Sequence, residues 1–181
     1  MIIYRKIVEF KNYISNYFRI LHLNLLNKTI RVDYNSVIGK NCSIYSDNNS
    51  SLILNNVVIG EGVTIHSKRG GEILINDVYI GQNSILVSIN KIEILPKTEI
   101  AEMVVIRDQD HIHNLTDLPI KEQSYATAPI LIKENVWIGS KATILKGVTI
   151  SKNSVVGAHS LVLSDIGEST VNVGIPSKKI K

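Results

Sequence analysis

The sequence predicts an all-β solenoid, a parallel β-helix that follows an N-terminal amphipathic helix. Two observations predict this fold class. An aliphatic residue recurs at every sixth position from Ile132 to Val162, and apolar residues in the first 26 positions recur in steps of four and three. The boundaries that follow are a helical cap over residues 1–28 and a β-helix over residues 29–181, with a loop at residues 107–129.

The N-terminal segment has the spacing of an amphipathic helix. Its polar residues, such as Arg5, Glu9 and Arg19, fall on the other faces. The favoured interpretation is a helix that covers the open end of the solenoid. A second interpretation stays open, peripheral association with a membrane surface. The apolar positions are Ile3, Ile7, Phe10, Ile14, Tyr17, Leu21 and Leu25.

The six-residue period fits neither an α-helix nor simple strand alternation. It fits a three-sided solenoid in which each side takes one hexad, so that Ile132 lies beneath Ile150 and Ile138 beneath Val156. Small or β-branched residues four positions later are expected at the corners. The predicted inward positions are Ile132, Ile138, Ile144, Ile150, Val156 and Val162, and the corner positions are Val136, Ala142, Val148, Ser154, Ser160 and Ile166.

The same period continues towards the N-terminus with slips, each of which predicts a bulge or a loop at a corner, as at residues 68–71. The inward positions predicted there are Ile38 and Ile44, then Ile53, Ile59 and Ile65, then Leu74, Ile80, Leu86 and Ile92, then Ile94, Ile100 and Ile106.

Residues 107–129 interrupt the repeat with a polar stretch that has no hexad phase and two prolines. A long excursion within a compact repeat is uncommon and often functional. The segment also holds two of the five histidines, His111 and His113.

The charge, the cysteine count and the hydropathy of the chain argue against some classes of function. The 181 residues carry a net charge of +4 without a basic stripe, so we do not expect nucleic acid as a partner. Cys42 is the only cysteine, which excludes an intrachain disulfide and favours a reducing compartment. No secretory signal and no membrane-spanning run is visible, so we expect a cytoplasmic protein.

The stretch from Ile130 to Lys181 resembles the C-terminal half of hexapeptide-repeat O-acetyltransferases, which include maltose, galactoside, capsule and lipopolysaccharide acetyltransferases. The V-W-I-G, I-L-x-G-V-x-I, V-V-G-A and G-x-P-x-K elements carry the resemblance in this order. It implies a left-handed β-helix, a homotrimer with active sites between subunits, and acetyl-CoA as co-substrate, without a metal. The acceptor it implies is a sugar hydroxyl, as in surface-glycan biosynthesis.

The resemblance also implies the catalytic base. Asp108-Gln109-Asp110-His111 resembles the D-x-N-H loop of the family, which identifies His111 as the base and His113 as the runner-up. Imidazole titrates near neutral pH and can take the proton of an attacking hydroxyl. Asp108 and Asp110 could orient the imidazole or contact the acceptor, although polar turn residues are common.

Further positions are carried over by the same resemblance. Trp137 precedes an inward residue and should face outward beside the active site, or else form a subunit contact. Two sequence departures, His159 for a usual glycine and Ser164 for a usual lysine, concern the coenzyme A positions. The residues expected to bind acetyl-CoA are Ser140, Gly157, Ala158, Ser160, Lys178 and Lys179.

The sequence bears differently on three other functions. A γ-type carbonic anhydrase requires a histidine pair spaced H-x4-H, which the sequence lacks. N-acetylation of an amino sugar, including a nucleotide-linked one, remains open because nothing in the sequence identifies the acceptor atom. A non-catalytic structural solenoid is disfavoured by the histidine-bearing loop.

Overall fold

The computed structural model describes residues 2–114 and 117–181, with side chains from residue 12 onward. One helix, α1 (Ile2–Leu26), precedes a continuous series of short strands. The predicted helix is therefore present, while the side chains of Ile3, Ile7 and Phe10 on its predicted apolar face lie outside the described residues. No helix in the described part of the chain has the length and apolar character needed to cross a membrane.

The strands form three parallel sheets, which are the three sides of a prism. Each full coil contributes one strand to each side, and coils repeat along the axis. The first side consists of β1 (Ile30–Val32), β4 (Ser51–Asn55), β7 (Glu72–Asn76), β10 (Lys91–Ile94), β15 (Ile130–Ile132) and β18 (Thr149–Ile150). The second side consists of β2 (Val37–Ile38), β5 (Val58–Ile59), β8 (Val78–Ile80), β11 (Thr98–Ile100), β16 (Trp137–Ile138), β19 (Val155–Val156), β21 (Val171–Val173) and β22 (Lys178–Lys179). The third side consists of β3 (Ser43–Ser46), β6 (Thr64–Ser67), β9 (Ile85–Ser88), β12 (Val105–Arg107), β17 (Thr143–Ile144) and β20 (Leu161–Val162).

The hexad prediction is confirmed over the last two full coils. All six predicted inward aliphatics from Ile132 to Val162 are fully buried. Ile132 pairs with Ile150 and Ile138 with Val156, as expected for an 18-residue coil. The predicted corner residues are buried too, because each turns inward where two sides meet.

The prediction is wrong at Ile53 and Leu74, which face outward. In β4 and β7, alternation instead buries the neighbours on both sides, Leu52 and Leu54 in the first case. The physical reason is coil length. Register partners on the second side, such as Ile38 and Ile59, are 21 positions apart in the early coils, so these coils are longer than the 18-residue coils. The strands of the first side are longer there, and each buries two residues.

The corners depend on close backbone approach between coils. A Cβ on Gly139 would lie 2.6 Å from the backbone nitrogen of Ala158, and one on Gly157 would lie 2.6 Å from a methyl carbon of Val173. Glycine at these two corners therefore follows from stacking alone. At another corner, Asn135 and Asn153 adopt left-handed backbone conformations, and the Asn135 amide donates to Asn153 Oδ1 at 2.8 Å.

Helix α1 covers the first coil, where it satisfies exposed backbone groups. Asn16 donates to the carbonyl of Ser36 and accepts from the amide of Ile38, while Asn24 pairs in the same way with both backbone groups of Val32. Ile20, on the helix itself, is fully buried in the core. These contacts close an end whose unpaired backbone would otherwise present a strand edge.

The described parts of the excursion, residues 107–114 and 117–129, contain more regular structure than the sequence indicates. Its two ends pair as an antiparallel hairpin, β13 (Gln109–His111) and β14 (Tyr125–Thr127). A short 3-10 turn, Ile120–Glu122, lies between them. The loop leaves and returns at the corner between the third and first sides. The fourth coil (β10, β11 and β12) and the fifth coil (β15, β16 and β17) therefore remain in register across it.

The stacked core gives a stability prediction. Ile144→Ala should lower the free energy of unfolding by about 2–5 kcal/mol, because the stacked coils above and below cannot collapse into the cavity. Thr143→Ala, at the adjacent outward-facing position, is the matched control and should change it by less than about 1 kcal/mol. Denaturant unfolding followed by circular dichroism measures both, and equal losses would contradict the inward assignment.

Candidate active site

Asp108 anchors the loop to the solenoid. Its buried carboxylate accepts hydrogen bonds from the Ser88 hydroxyl at 2.5 Å and from the backbone amides of Ile89 and Asn90 at 3.0 Å each. All three donors belong to the preceding coil. A carboxylate that is fully buried, with three donors bound to it, positions the hairpin. Asp108 therefore does not face a ligand and does not contact the acceptor substrate.

His111 ends β13 at the rim of the hairpin, with its side chain exposed. Its ring packs against Tyr125, with 4.4 Å between centroids, because the two residues are paired across β13 and β14. His113 is also exposed, and its Nδ1 lies 3.2 Å from the carbonyl oxygen of His111. A carbonyl oxygen only accepts, so this contact places a hydrogen on Nδ1 of His113.

A cavity of about 470 Å³ opens beside His111, which we call the His111 cavity. A volume of this size suits a small ligand. Its walls come from the solenoid corner and from both strands of the hairpin. The lining residues are Lys68, Arg69, Val87, Ile89, Arg107, Gln109, Asp110, His111 and Tyr125.

Asp110 lines this cavity but is already paired. Its carboxylate forms an ion pair with Lys146, which comes from the corresponding corner of the next coil, at 2.5 Å. Both side chains are partly exposed, so the pair contributes little to stability. Its effect is to tie the hairpin to the coil above and to neutralise one negative charge beside His111.

A second concavity, of about 300 Å³, lies between stacked coils at the corner of the second and third sides. Ser140, Gly157 and Ala158 line it, and Trp137 forms one wall with 56% of its surface exposed. We call it the coil groove. The outward orientation predicted for Trp137 is thus observed, and three of the predicted coenzyme positions lie together.

The other predicted coenzyme residues lie apart from the coil groove. Ser160 is buried, and its hydroxyl accepts a hydrogen bond from the Gly174 amide, so it closes a corner. Lys178 and Lys179 form β22, exposed at the far end of the second side. His159 occupies a left-handed corner position, where its ring is exposed.

The sequence did not single out the basic residues of the His111 cavity. Lys68 and Arg69 lie in the turn between the second and third coils, where the sequence shows only a slip in the repeat, and Arg107 ends β12. Tyr125 was within the loop, with no pattern to mark it. Residues 68 and 111 meet only because the coils stack, so no local spacing could have revealed the cluster.

Two other reactive side chains lie outside these concavities. Cys42 is half-buried, its thiol donates to the Gly60 carbonyl, and burial raises the pKa of that thiol. It borders an apolar cleft of about 600 Å³ under α1, where no acid–base pair is hydrogen-bonded. Within the described residues, no group of three His, Cys, Asp or Glu side chains could hold a metal ion.

In one chain, His111 and Trp137 lie on different parts of the prism. The loop that carries His111 emerges where the third side meets the first, whereas Trp137 lies on the second side, which is opposite that corner. The His111 cavity and the coil groove accordingly share no lining residue.

Residues 129–164 match the family described as bacterial transferase hexapeptide (six repeats). Such repeats form left-handed coils, so the solenoid is a left-handed β-helix, as predicted. The matched residues include the two coils that follow the loop and most of the coil groove, whose other lining residues are Ala101 and Glu102.

Curated relatives match about half of the chain or less. The chain is 33% identical over 103 residues to WbbJ of Escherichia coli K12, a putative lipopolysaccharide biosynthesis O-acetyl transferase, with 53% of each protein covered. It is 51% identical over 53 residues to the galactoside O-acetyltransferase of the same organism, with 29% of this chain and 26% of the relative covered. The match thus spans about half or less of these relatives' length.

A solved structure matches more of the chain. AntD, an N-acyltransferase from Bacillus cereus in complex with dTDP and 3-hydroxybutyryl-CoA, superimposes with a TM-score of 0.70 at 25% sequence identity. The superposition covers 81% of this chain and 79% of AntD. The likeness therefore extends over the early coils, where the repeat in the sequence slips.

The Asp108 anchor can be tested directly. Asp108→Asn should lower the free energy of unfolding by about 1.5–3 kcal/mol. The amide cannot accept all three hydrogen bonds, and its NH₂ group would face the donors that bind the carboxylate. The substitution should also speed tryptic cleavage after Lys121 in the loop. Asp165→Asn, which removes one exposed carboxylate acceptor from a corner, is the control. Unchanged cleavage in Asp108→Asn would show that the anchor does not order the loop.

Proposed function

Because this chain belongs to the hexapeptide-repeat acetyltransferase family, we propose that it transfers an acetyl group from acetyl-CoA to a sugar hydroxyl, with His111 as general base. The observation that carries this proposal is an exposed imidazole on a hairpin that a buried carboxylate fixes to the solenoid, beside a cavity of small-ligand size. A purely structural solenoid has no need of such a loop.

The reaction requires one base and no covalent enzyme intermediate. His111 accepts the proton of the acceptor hydroxyl while the oxygen attacks the thioester carbonyl carbon. The new C–O bond forms, the C–S bond breaks, and the coenzyme A thiolate leaves. The proton on the imidazole then passes to that thiolate. His111 is favoured over His113 because it lines the cavity, whereas Nδ1 of His113 is engaged with a backbone carbonyl.

The coil groove is the proposed site for the acyl-CoA arm. It lies between stacked coils, and its small lining residues Ser140, Gly157 and Ala158 leave space for an extended ligand beside Trp137. AntD, which matches over most of its length, is a complex with an acyl-CoA. Lys178 and Lys179, further along the same side, supply positive charge for the phosphates.

We assign the complete site to two chains of a homotrimer. His111 and the coil groove lie at different corners of one prism, and a ring of three prisms brings such corners together. The second side also carries exposed apolar residues in one register, Val37, Val58, Tyr79 and Trp137, with the exposed Glu99 between the last two. An exposed row that is mostly apolar is typical of a subunit contact.

The proposed acceptor class is a sugar of a surface glycan. WbbJ, with 33% identity, is described as a lipopolysaccharide biosynthesis O-acetyl transferase. A second candidate is N-acylation of a nucleotide-linked amino sugar, favoured by the likeness to AntD. Matched acceptors that differ only in a hydroxyl or an amine at one carbon distinguish the two, because attack by one atom forms an ester and by the other an amide.

Replacing the base should abolish turnover while leaving the donor site intact. His111→Ala should lower kcat for acetyl-CoA-dependent thiol release by about 10²–10⁴-fold, because the hydroxyl loses its proton acceptor. The KM for acetyl-CoA should stay within about twofold, since the imidazole does not bind the donor. His113→Ala is the control. Equal rates for wild type and His111→Ala would reject His111 as the base.

Mixing two inactive variants tests the shared site. His111→Ala and Trp137→Ala chains, unfolded and reassembled together at equal ratio, should recover about a quarter of wild-type sites, because one interface in each mixed trimer carries both native residues. The separately refolded variants are the control. No recovery in verified mixed trimers would place both residues in the same chain's site.

A further inference from the structure

The His111 cavity carries an excess of positive charge. Lys68, Arg69 and Arg107 all line it, and they come from two different coils. Among the ion pairs of the described residues, none involves any of these three side chains. A cluster of cations that form no direct ion pair, at the wall of a concave site, is the arrangement that binds an anion.

The carboxylates nearby are engaged elsewhere. Asp110 pairs with Lys146, as described above. Asp47 accepts hydrogen bonds from the Ser50 hydroxyl and the Arg69 backbone amide; these contacts, in that order, hold its pKa below the usual range, and the charge of Lys68 is a smaller cause. With Lys146 included, four cations face three carboxylates, those of Asp47, Asp108 and Asp110, so the surroundings of the cavity stay net positive.

Aromatic rings hold two of the cations at the cavity. The guanidinium of Arg69 lies 5.0 Å from the ring centroid of Tyr125, the same ring that packs on His111. The ammonium of Lys68 lies 5.7 Å from the ring centroid of Tyr45. Cation–π contacts of this length restrict the side chains without consuming their hydrogen-bond donors, which remain available to a ligand.

The same positive charges affect the pKa of a neighbouring histidine. His66 lies on the third side between Tyr45 and Val87, in the register that leads to Arg107. Burial lowers its pKa first, and the charges of Lys68 and Arg107 lower it further. Both cations therefore act on the outer surface of the third side at the edge of the cavity.

A buried acceptor in the cavity wall lacks its donor. Gln109 is 8% exposed and lines the cavity, and its Oε1 has no hydrogen-bond partner among the described residues. This oxygen is inaccessible to solvent in the observed side-chain position, so a ligand hydroxyl donates to it only after the amide turns towards the cavity. Because a buried polar atom without a partner costs about 1–3 kcal/mol, that turn is favoured once a donor is present. A sugar hydroxyl is such a donor, whereas an isolated inorganic anion is not.

We propose that the His111 cavity recognises an acidic sugar, whose carboxylate or phosphate binds Lys68, Arg69 and Arg107 and whose hydroxyl donates to Gln109. This inference rests on the proposed function for its orientation, since it places the reacting hydroxyl at His111. It extends that function by naming the acceptor class. Charge-assisted contacts to a carboxylate or a phosphate are the strongest that these three side chains can form.

The phosphates of coenzyme A are the competing anion. They lie at the far end of the pantetheine arm from the thioester, whereas the cations share one cavity with His111, which must lie beside the thioester during attack. The cluster therefore faces the acceptor end of the reaction. This assignment predicts that loss of a cation alters the KM for the acceptor and not that for acetyl-CoA.

Binding of three matched probes to the full chain tests the inference. The probes are methyl glucuronide, glucose 1-phosphate and methyl glucoside, titrated by NMR. An acidic probe should bind about tenfold or more tightly than methyl glucoside, and Arg107→Gln should remove most of that difference. The comparison of carboxylate with phosphate identifies which anion the site prefers. Arg31→Gln, an exposed arginine on the first side of the first coil, is the matched control.

A second variant separates the two halves of the site. Gln109→Leu should weaken all three probes by a similar factor of about 3–10, because it removes a contact to a hydroxyl that they share. If the wild type binds methyl glucoside as tightly as the acidic probes, the inference is overturned. If acidic probes bind and respond to Arg107→Gln while no acceptor is acetylated, the subsite stands and the proposed acetyl transfer fails. A rise in the KM for acetyl-CoA in Arg107→Gln would instead assign the cations to the donor.

Discussion

The hydrogen-bond ladder between successive coils is the constraint on which the rest of the structure depends. Within the three sides, the strands from β1 to β21 pair in parallel with those of neighbouring coils, so coils must stack at strand spacing along the axis. Inward aliphatics then lie directly over one another, as Ile138 does between Ile100 and Val156. The same spacing leaves no room for a side chain at Gly139.

The ladder also decides where the chain can depart from the repeat. An insertion within a side would break pairing to two neighbours, whereas an insertion at a corner breaks none. The loop leaves after β12 and returns before β15, and Ile94 still pairs with Ile132 across it. Asp108 uses the donors of the preceding coil to fix the departure point. The proposed base thus projects from a rigid framework, although it lies on a loop.

The corners of a prism face different directions, so the two candidate ligand sites lie on different parts of the chain's surface. The cavity with the imidazole and the cations is at one corner, and the groove lined by small residues is at another. The two ends of the solenoid differ as well. Helix α1 covers the first coil with asparagine side chains, whereas the last side ends in the antiparallel strand β22.

The sequence by itself determined the solenoid, its N-terminal helix, the inward residues of the regular coils and the loop that carries His111. These features depend on short-range periodicity, which a single sequence displays. It misassigned Ile53 and Leu74, because longer strands bury alternate residues and interrupt the hexad. Only the tertiary structure decided that Asp108 is an anchor, that Ser160 is buried, and that Lys68, Arg69 and Arg107 surround one cavity with His111. Those relations join residues about 20 to 40 positions apart, a separation set by stacked coils that no local pattern encodes.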